Sequence, residues 1–507
     1  MLSILVGHAY FLNFDRKQQE RSKPYPPLAT LQVAARLRAR GHRVDFFDAM
    51  LAQSTADFIT SVERIRPQLV VLYEDNYNYL TKMCLGRMRD AAAEMAAAAR
   101  RCGARVLVAG SDPSDEPGVY LQAGADWVLR GEGLQALDEL LQRLDASPRD
   151  EPASLAAGLP DVHLLQHGEV ISGQALGAAS PGALEDKVRP LRLQRTRHEE
   201  ADAPIELGVA WDLADLESYR AVWTQAHGYF SLNMAASKGC SFRCAWCAKP
   251  IWGSRYEQRD ARLVAAEMVQ LKLCHAPDHI WFADDIFGFR SDWVARFADE
   301  VERLGGGLPF TIQTRADLVS DAMAIALRRA GCREVWLGAE SGSQRVLDAM
   351  DKGTTVAEIL QARNRLKAVG IRVGFFIQLG YLGEGLDELR DTRRLIKTAR
   401  PDDIGVSVAY PLPGTRFHEL VQAQLGPKTH WEDSGDLAMM FRGSFSTEFY
   451  RSVRDLLHRQ VELDTAPGAA PLALARLEQH WEQLLADATP LQTAMAGAGL
   501  AASPLNA

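Results

Sequence analysis

The sequence predicts an α/β protein: a doubly wound parallel sheet at the amino end, a partial (β/α)6 barrel after it, and a small helical region at the carboxyl end. Three observations predict it. Between Leu2 and Leu144, short apolar runs alternate with helical patterns, which is the βαβ rhythm of a parallel sheet. From Tyr229 onward, strand then helix repeats six times, and the rhythm is lost after Leu425. At 507 residues the chain also exceeds the size at which single cores stop growing, so more than one domain is expected. The expected division is 1–145, a linker over 146–225, then 226–425 and 426–507.

In the first domain the strands read as Leu2 to Val6, Val44 to Phe47, Leu69 to Tyr73, Arg105 to Ala109 and Trp127 to Leu129. Helices fall between them, the first opening after Pro26 and Pro27, which suit a helix start. Such a Rossmann-like sheet binds ligands outside the carboxyl ends of its strands. Those ends carry His8 and Tyr10, then Glu74, Asp75, Asn76 and Tyr77, then Gly110, Ser111 and Asp112, and finally Gly131, Glu132 and Gly133. Glycines there let a large ligand approach the backbone, and the polar side chains can bond its edge. No GxGxxG follows the first strand, which argues against a dinucleotide.

The Ala-, Gly- and Pro-rich stretch 146–225 reads as a linker with one hairpin around HLLQHGEVISG, ended by a short helix within Ala210 to Trp223. The six strands of the second domain read as Phe230 to Ala235, His279 to Ala283, Phe310 to Gln313, Glu334 to Ala339, Arg372 to Leu379 and Ile404 to Ala409. Apolar stripes such as Trp293, Phe297, Val301 and Leu304 mark the helices between them. Barrel sites lie at the strand carboxyl ends. These bear Asp284 and Asp285, Arg315, Glu340 and Ser341, and Gln378 at the start of QLGYLGE. Helix capping by Asp284 and a surface pair of Arg315 with Asp317 are the plain alternatives. From HWEDSGDLAMMF onward a helical segment is expected, with Met439, Met440, Phe441, Phe449 and Tyr450 as core or cavity lining, then one more helix over Leu472 to Leu485 and a disordered tail.

The chemistry concentrates in SKGCSFRCAWCAKPIW, whose cysteines are Cys240, Cys244 and Cys247. Three thiolates in one loop can hold three corners of an iron-sulfur cube and leave the fourth iron open. A closed structural zinc needs four ligands, and no second CxxC pair exists. A redox CxxC at Cys244 and Cys247, or a chance grouping, are the remaining readings. Cys84, Cys102, Cys274 and Cys332 stand singly and read as small core residues. With 57 Lys and Arg against 65 Asp and Glu, the net charge of -8 offers no surplus to neutralise phosphates, so no nucleic-acid partner is expected. No apolar run reaches membrane-spanning length and no signal peptide is read, and the cysteine usage fits a cytoplasmic protein.

The CxxxCxxC spacing, with Trp246 before the last cysteine, resembles the signature of the radical S-adenosylmethionine superfamily. The resemblance implies a [4Fe-4S] cluster that binds S-adenosylmethionine and cleaves it to a 5'-deoxyadenosyl radical. It also implies that the element after the second barrel strand meets the amino group of S-adenosylmethionine, and that residues after the third and fourth meet its carboxylate and ribose. ADD stands where the superfamily has GGE. The stretches PYPPLATLQVAARLRARGHRVDFFDA and GSDPSDEPGVYLQAGADWVLRGEG resemble the opening and closing parts of a cobalamin-binding domain. No DxHxxG occurs, so no histidine from that motif is expected below cobalt. The resemblance implies that the loop from Tyr73 to Tyr77 takes that side, with Glu74, Asn76 and Tyr77 as candidates.

The resemblance implies a methyltransferase acting on an unactivated carbon of a small molecule, with a flavodoxin or ferredoxin as electron donor. The alternatives are a radical cyclase or rearrangement enzyme like the anaerobic magnesium-protoporphyrin cyclase, and a cobalamin carrier or sensor with a structural cluster.

Overall fold

The computed structural model describes residues 1–83, 85–177, 208–247, 251, 255–466, 468 and 471–488. Its first sheet has the strands β1 (Ser3–Gly7), β2 (Arg43–Phe47), β3 (Leu69–Tyr73), β4 (Arg105–Ala109), β5 (Trp127–Leu129), β6 (Val162–Gln166) and β7 (Glu169–Ser172). They lie in the order β2-β1-β3-β4-β5-β6-β7, the first five parallel. LVVLY of β3 is buried at every residue because helices cover both faces. Helices Leu28–Ala39 and Leu134–Ala146 pack on one face, and Thr55–Ile65 and Gly86–Arg101 on the other. The chain reverses its direction of travel between β1 and β3, so the ligand crevice of this topology opens at their carboxyl ends.

The hairpin expected within a linker is part of this sheet. β6 pairs antiparallel with β5, burying Val162 and Leu164 and covering an edge that would otherwise stay open. The helix Leu216–His227 then joins the domains: the Trp223 indole donates to the Pro24 carbonyl (2.6 Å) and the Tyr219 hydroxyl to Asp48 (2.7 Å).

The second domain contains β8 (Ser231–Met234), β9 (Ser237–Gly239), β10 (Tyr256–Gln258), β11 (His279–Phe282), β12 (Phe310–Thr314), β13 (Cys332–Glu340), β14 (Arg372–Leu379) and β15 (Asp403–Val408). Six of these run parallel in the order β15-β14-β13-β12-β11-β8, an open sheet in which β15 and β8 are edges. Helices cover one face; Ser291–Arg303 buries the expected Trp293, Phe297 and Val301. On the other face Trp336 stacks on Phe376 at 4.9 Å. Gly374 permits this, because a Cβ there would lie 2.6 Å from the Trp336 ring. β9 and β10 form a separate antiparallel hairpin, absent from the sequence reading.

The C-terminal region departs from expectation. Residues 426–446 are irregular, and helix begins only at Thr447–Thr465, followed by Pro471–Ala486. Gly426, Pro427, Ser434, Gly435 and Gly443 break the helical period there. This stretch crosses onto the first domain instead: Gly86 N–H donates to the Trp431 carbonyl (2.7 Å), Arg87 pairs with Glu432 (2.8 Å) and the Ser434 hydroxyl donates to Asp15 (2.6 Å). One apolar core therefore runs from Met95 and Val108 through Phe282 and Val335 to Tyr450 and Trp481. Among the described residues no helix is long and apolar enough to cross a membrane.

Candidate active site between the two strand-end layers

At the end of β1, His8 is fully buried and committed. Its Nδ1 faces Tyr10 N–H (3.3 Å), and its Nε2 lies between Ala49 N–H (3.2 Å) and Asp48 (3.1 Å), whose other oxygen receives Tyr219. The Tyr10 hydroxyl, also buried, donates to Asp15 (3.2 Å). After β3 the candidates separate. Asp75 receives Ala29 N–H (3.0 Å), and Tyr77 packs against the core on the face that carries Leu28–Ala39 and Leu134–Ala146. The Asn76 amide reaches the Tyr73 hydroxyl (3.5 Å), leaving its buried Oδ1 without a protein partner. Glu74 turns toward a small cavity lined also by Tyr10, Thr81, Met88, Arg89 and Tyr120. Burial pushes its carboxyl up to about 7, against the pull of His8 and with Asp112 adding to the rise. Gly110 exists for Glu74: a Cβ there would lie 2.5 Å from the Glu74 Cγ. The adjacent Ser111 hydroxyl is buried and unpartnered.

After β5 the expected ligand-binding residues face the other domain. Glu132 pairs through both oxygens with Lys238 in β9 (2.9 and 3.0 Å), and its carbonyl receives the Tyr73 hydroxyl (2.8 Å). A Cβ on Gly131 would stand 3.4 Å from the Ile251 carbonyl, in the segment just after the cysteines. Gly133, at φ 60°, leaves no room for a side chain beside Leu129 (2.9 Å).

Between β9 and β10 lies the cysteine loop, anchored at several points. Asp284, fully buried at the end of β11, accepts from Ala236 N–H (3.0 Å) and from the Ser237 hydroxyl, which fixes the start of the loop. Burial raises its carboxyl to about 7 although both donors oppose the shift. Ala245 N–H donates to the Met350 carbonyl (2.8 Å) and the Ala245 carbonyl receives Phe417 N–H (2.9 Å). Cys247 N–H closes a turn on the Cys244 carbonyl (3.2 Å). Cys240, Cys244 and Cys247 are of intermediate exposure. Trp246 packs against the cluster formed by Met350, Tyr381, Phe417 and Phe441.

The remaining strand-end residues surround this loop. Asp285 pairs with Lys82 of the first domain. Arg315 does pair with Asp317, but as a buried group, and its Nη1 donates to the Cys244 sulfur (3.6 Å). Glu340 sits after a bulge in β13 at φ 59°, a left-handed conformation uncommon for a side-chain-bearing residue, and binds the buried Lys352 (2.8 Å). Ser341 is spent on Thr392 of the helix Leu386–Ala399 (3.1 Å) and on Ser343 N–H in its own turn (3.1 Å). Gln378 keeps a buried, unpartnered Oε1.

Lys352 and Tyr79 are among the residues absent from the sequence reading. Lys352 lies over Gly338, where a Cβ would meet its Nζ at 2.7 Å. Burial opposes its charge, but Glu340 and Cys244 raise its pKa overall. Tyr79 keeps 54% of its surface open. Its phenol pKa is raised, by desolvation first and then by the charges of Cys247 and Glu340. Neither belongs to a motif; DKG at 351–353 signals only a turn.

Among the described residues no three His, Cys, Asp or Glu side chains already stand together as a metal-holding group. The fit of a cluster to this loop therefore rests on donor chemistry: three accessible thiols, one faced by a cation. The fit of a corrin to the first domain rests on the crevice and on the orphaned buried Ser111 and Asn76 oxygens, which can meet amide groups.

Comparison with known proteins matches residues 20–141 to the B12 binding domain and residues 234–396 to the radical SAM superfamily. An uncharacterised methyltransferase of Pyrococcus horikoshii is 27% identical over 212 residues, covering 41% of this chain and 45% of the relative. The anaerobic magnesium-protoporphyrin IX monomethyl ester cyclase of Rubrivivax gelatinosus is 27% identical over 239 residues, covering 45% of this chain and 41% of the relative. The matched part thus spans less than half the length of either relative. Among solved structures, the radical S-adenosylmethionine methyltransferase TsrM from Kitasatospora setae, with cobalamin and a [4Fe-4S] cluster bound, superposes with a TM-score of 0.63 at 18% identity over 83% of this chain and 78% of its own. That likeness is one of fold. With a B12-binding domain followed by a radical SAM domain, each matched where its strands and loops stand, the chain belongs to the cobalamin-dependent branch of the radical S-adenosylmethionine superfamily.

Proposed function

We propose that this enzyme transfers a methyl group to an unactivated carbon of a small molecule, using a [4Fe-4S] cluster held by Cys240, Cys244 and Cys247 together with S-adenosylmethionine and cobalamin. The observation that carries the reading is the apposition of the two strand-end layers. Glu132 of the first domain pairs with Lys238 at the base of the cysteine loop, and Lys82 pairs with Asp285. When bound, cobalamin supplies the methyl group, and the cluster with S-adenosylmethionine supplies the radical that activates the substrate carbon.

The chain's own residues hold these parts and keep water out. Ser111 and Asn76 would offer buried oxygens to the edge of a corrin, and Glu74, which lines a small cavity at the same strand ends, would face it. Gln378 offers its unpartnered oxygen to S-adenosylmethionine, beside the Glu340–Lys352 pair. Trp246 and the apolar group around Phe417 shield the loop from behind, which suits radical chemistry that must exclude solvent. A flavodoxin or ferredoxin is the proposed electron donor.

The resemblance to the cyclase favours one second reading, ring closure or rearrangement without net methyl transfer. The deciding experiment is turnover of the anaerobically reconstituted protein with S-adenosylmethionine labelled in its methyl group. Label in the product is expected. Unlabelled product formed with 5'-deoxyadenosine would favour the cyclase reading, and no 5'-deoxyadenosine under reducing conditions would leave a carrier or sensor.

A further inference from the structure

We propose that Arg315 is a positioning residue of the cysteine loop, a clamp that fixes the Cys244 sulfur and lends it an N–H, rather than an anchor for the carboxylate of S-adenosylmethionine. The inference rests on the proposed cluster reading and adds a role that the sequence pattern did not suggest.

A guanidinium has five N–H donors in a planar fork; here Nε and Nη2 are fully committed, and Nη1 spends one of its two on Cys244. Nε donates to Asp317 Oδ1 (2.9 Å), while Nη2 reaches Asp317 Oδ2 (3.0 Å), the Lys352 carbonyl (2.6 Å) and Thr354 Oγ1 (2.9 Å). Nη1 donates to the Cys244 sulfur at 3.6 Å. The plane of the group is also held, because its Cζ lies 3.7 Å from the centroid of the Phe242 ring, two residues before Cys244. Only 5% of Arg315 is exposed.

The turn that receives Nη2 is built for it. Gly353, at φ 65°, lets the Lys352 carbonyl and the Thr354 hydroxyl face the same nitrogen. The same turn sends the Lys352 side chain toward Glu340 (2.8 Å). One arginine thus ties the end of β12, the 352–354 turn and two residues of the cysteine loop into a single unit.

Donors and positive charge beside a ligating sulfur favour the reduced, more negative cluster and raise its potential. The test uses the full chain, reconstituted anaerobically with iron and sulfide, as parent, Arg315→Lys and Arg315→Met. Iron per chain, far-UV circular dichroism and the midpoint potential by EPR-monitored titration are measured before S-adenosylmethionine is added. Its affinity is measured separately. The expected result for Arg315→Met is a lower potential, with the reduced-to-oxidised ratio at fixed poise falling about tenfold, equivalent to about 59 mV for one electron. Arg315→Lys, which keeps the charge but not the fork, should fall by less. Loss of iron in Arg315→Met with an unchanged dichroism spectrum also supports the clamp, since an anchor for S-adenosylmethionine has no part in cluster assembly. Unchanged potential and iron content in both variants, with weakened binding of S-adenosylmethionine, would overturn it. A parent chain that takes up no cluster would fail the proposed function itself, which the parent's iron content reveals first.

Discussion

The seven cysteines divide by what surrounds each sulfur. Cys332 is fully buried at the start of β13, and burial pushes its thiol pKa far up, as for an inert core residue. Cys102 and Cys274 are exposed, correcting their reading as core: each lies at or just inside a helix carboxyl end, where the apolar stripe has already turned away. Cys84 lies outside the described residues. Replacing Cys332 by Ser should therefore cost about 1–3 kcal/mol of stability, whereas Cys102→Ser and Cys274→Ser should stay within about 0.5 kcal/mol. Ala at Cys240, Cys244 or Cys247 should abolish cluster absorption and cleavage of S-adenosylmethionine while cobalamin still binds, because the first domain supplies none of these thiols. Full iron content in the Cys244 variant would refute the ligand assignment. A second residue-scale prediction concerns Glu384, which is fully buried and accepts Gly380 N–H (2.6 Å). Burial, helped by Glu388, raises its folded pKa from 4.5 to about 8. Between these values the folded state holds a proton that the unfolded state releases, so its contribution falls as pH rises through that window. Glu384→Gln keeps an acceptor for Gly380 but cannot titrate. Denaturation of this variant between pH 4.5 and 8 should show a shallower loss of stability with pH than the parent, and identical slopes would count against the raised pKa.

At the scale of elements, legibility followed the strength of the local pattern. LVVLY and RVLVA are continuous apolar runs bounded by polar residues, and β3 and β4 occupy the residues read for them. The hairpin of β9 and β10 is not legible because SKG and YEQ are polar three-residue strands held from afar, Ser237 by Asp284 and Lys238 by Glu132. The cysteines were visible from spacing alone, since their chemistry is carried within eight residues. The supports of the loop were not: Lys352, Met350 and Phe417 come from other segments, brought in by the fold. The same holds for residues 426–446, where long-range contacts replace periodicity. Trp431 is buried, its indole donates to the Ala438 carbonyl (2.7 Å), and its backbone receives Gly86. Trp431→Ala should cost about 3–5 kcal/mol in denaturant unfolding. The exposed Leu472→Ala in the last helix should cost about 0.5 kcal/mol or less. A Trp431 effect no larger than that of Leu472 would show that this segment is only draped over the first domain.

For the whole molecule, the first domain closes only one of its two apolar faces within itself. The face carrying Leu28–Ala39 and Leu134–Ala146 is closed within the domain, but the opposite face shares an apolar cluster with the half-barrel and the C-terminal helices. Ion pairs cross the same boundary, from Glu132 to Lys238 (2.9 Å) and from Arg87 to Glu432 (2.8 Å), but exposed or half-exposed pairs add little, so the shared core is what couples the domains. A ligand that binds only the folded first domain should therefore stabilise the entire chain. At a hundredfold excess over its dissociation constant, cobalamin should add about 2.7 kcal/mol. The full chain should unfold in one transition, with fluorescence dominated by tryptophans of the half-barrel and C-terminal region, such as Trp336 and Trp481, moving together with far-UV circular dichroism. Two separated transitions, with cobalamin shifting only one of them, would show that the domains fold as independent units and that their loops meet without a common core.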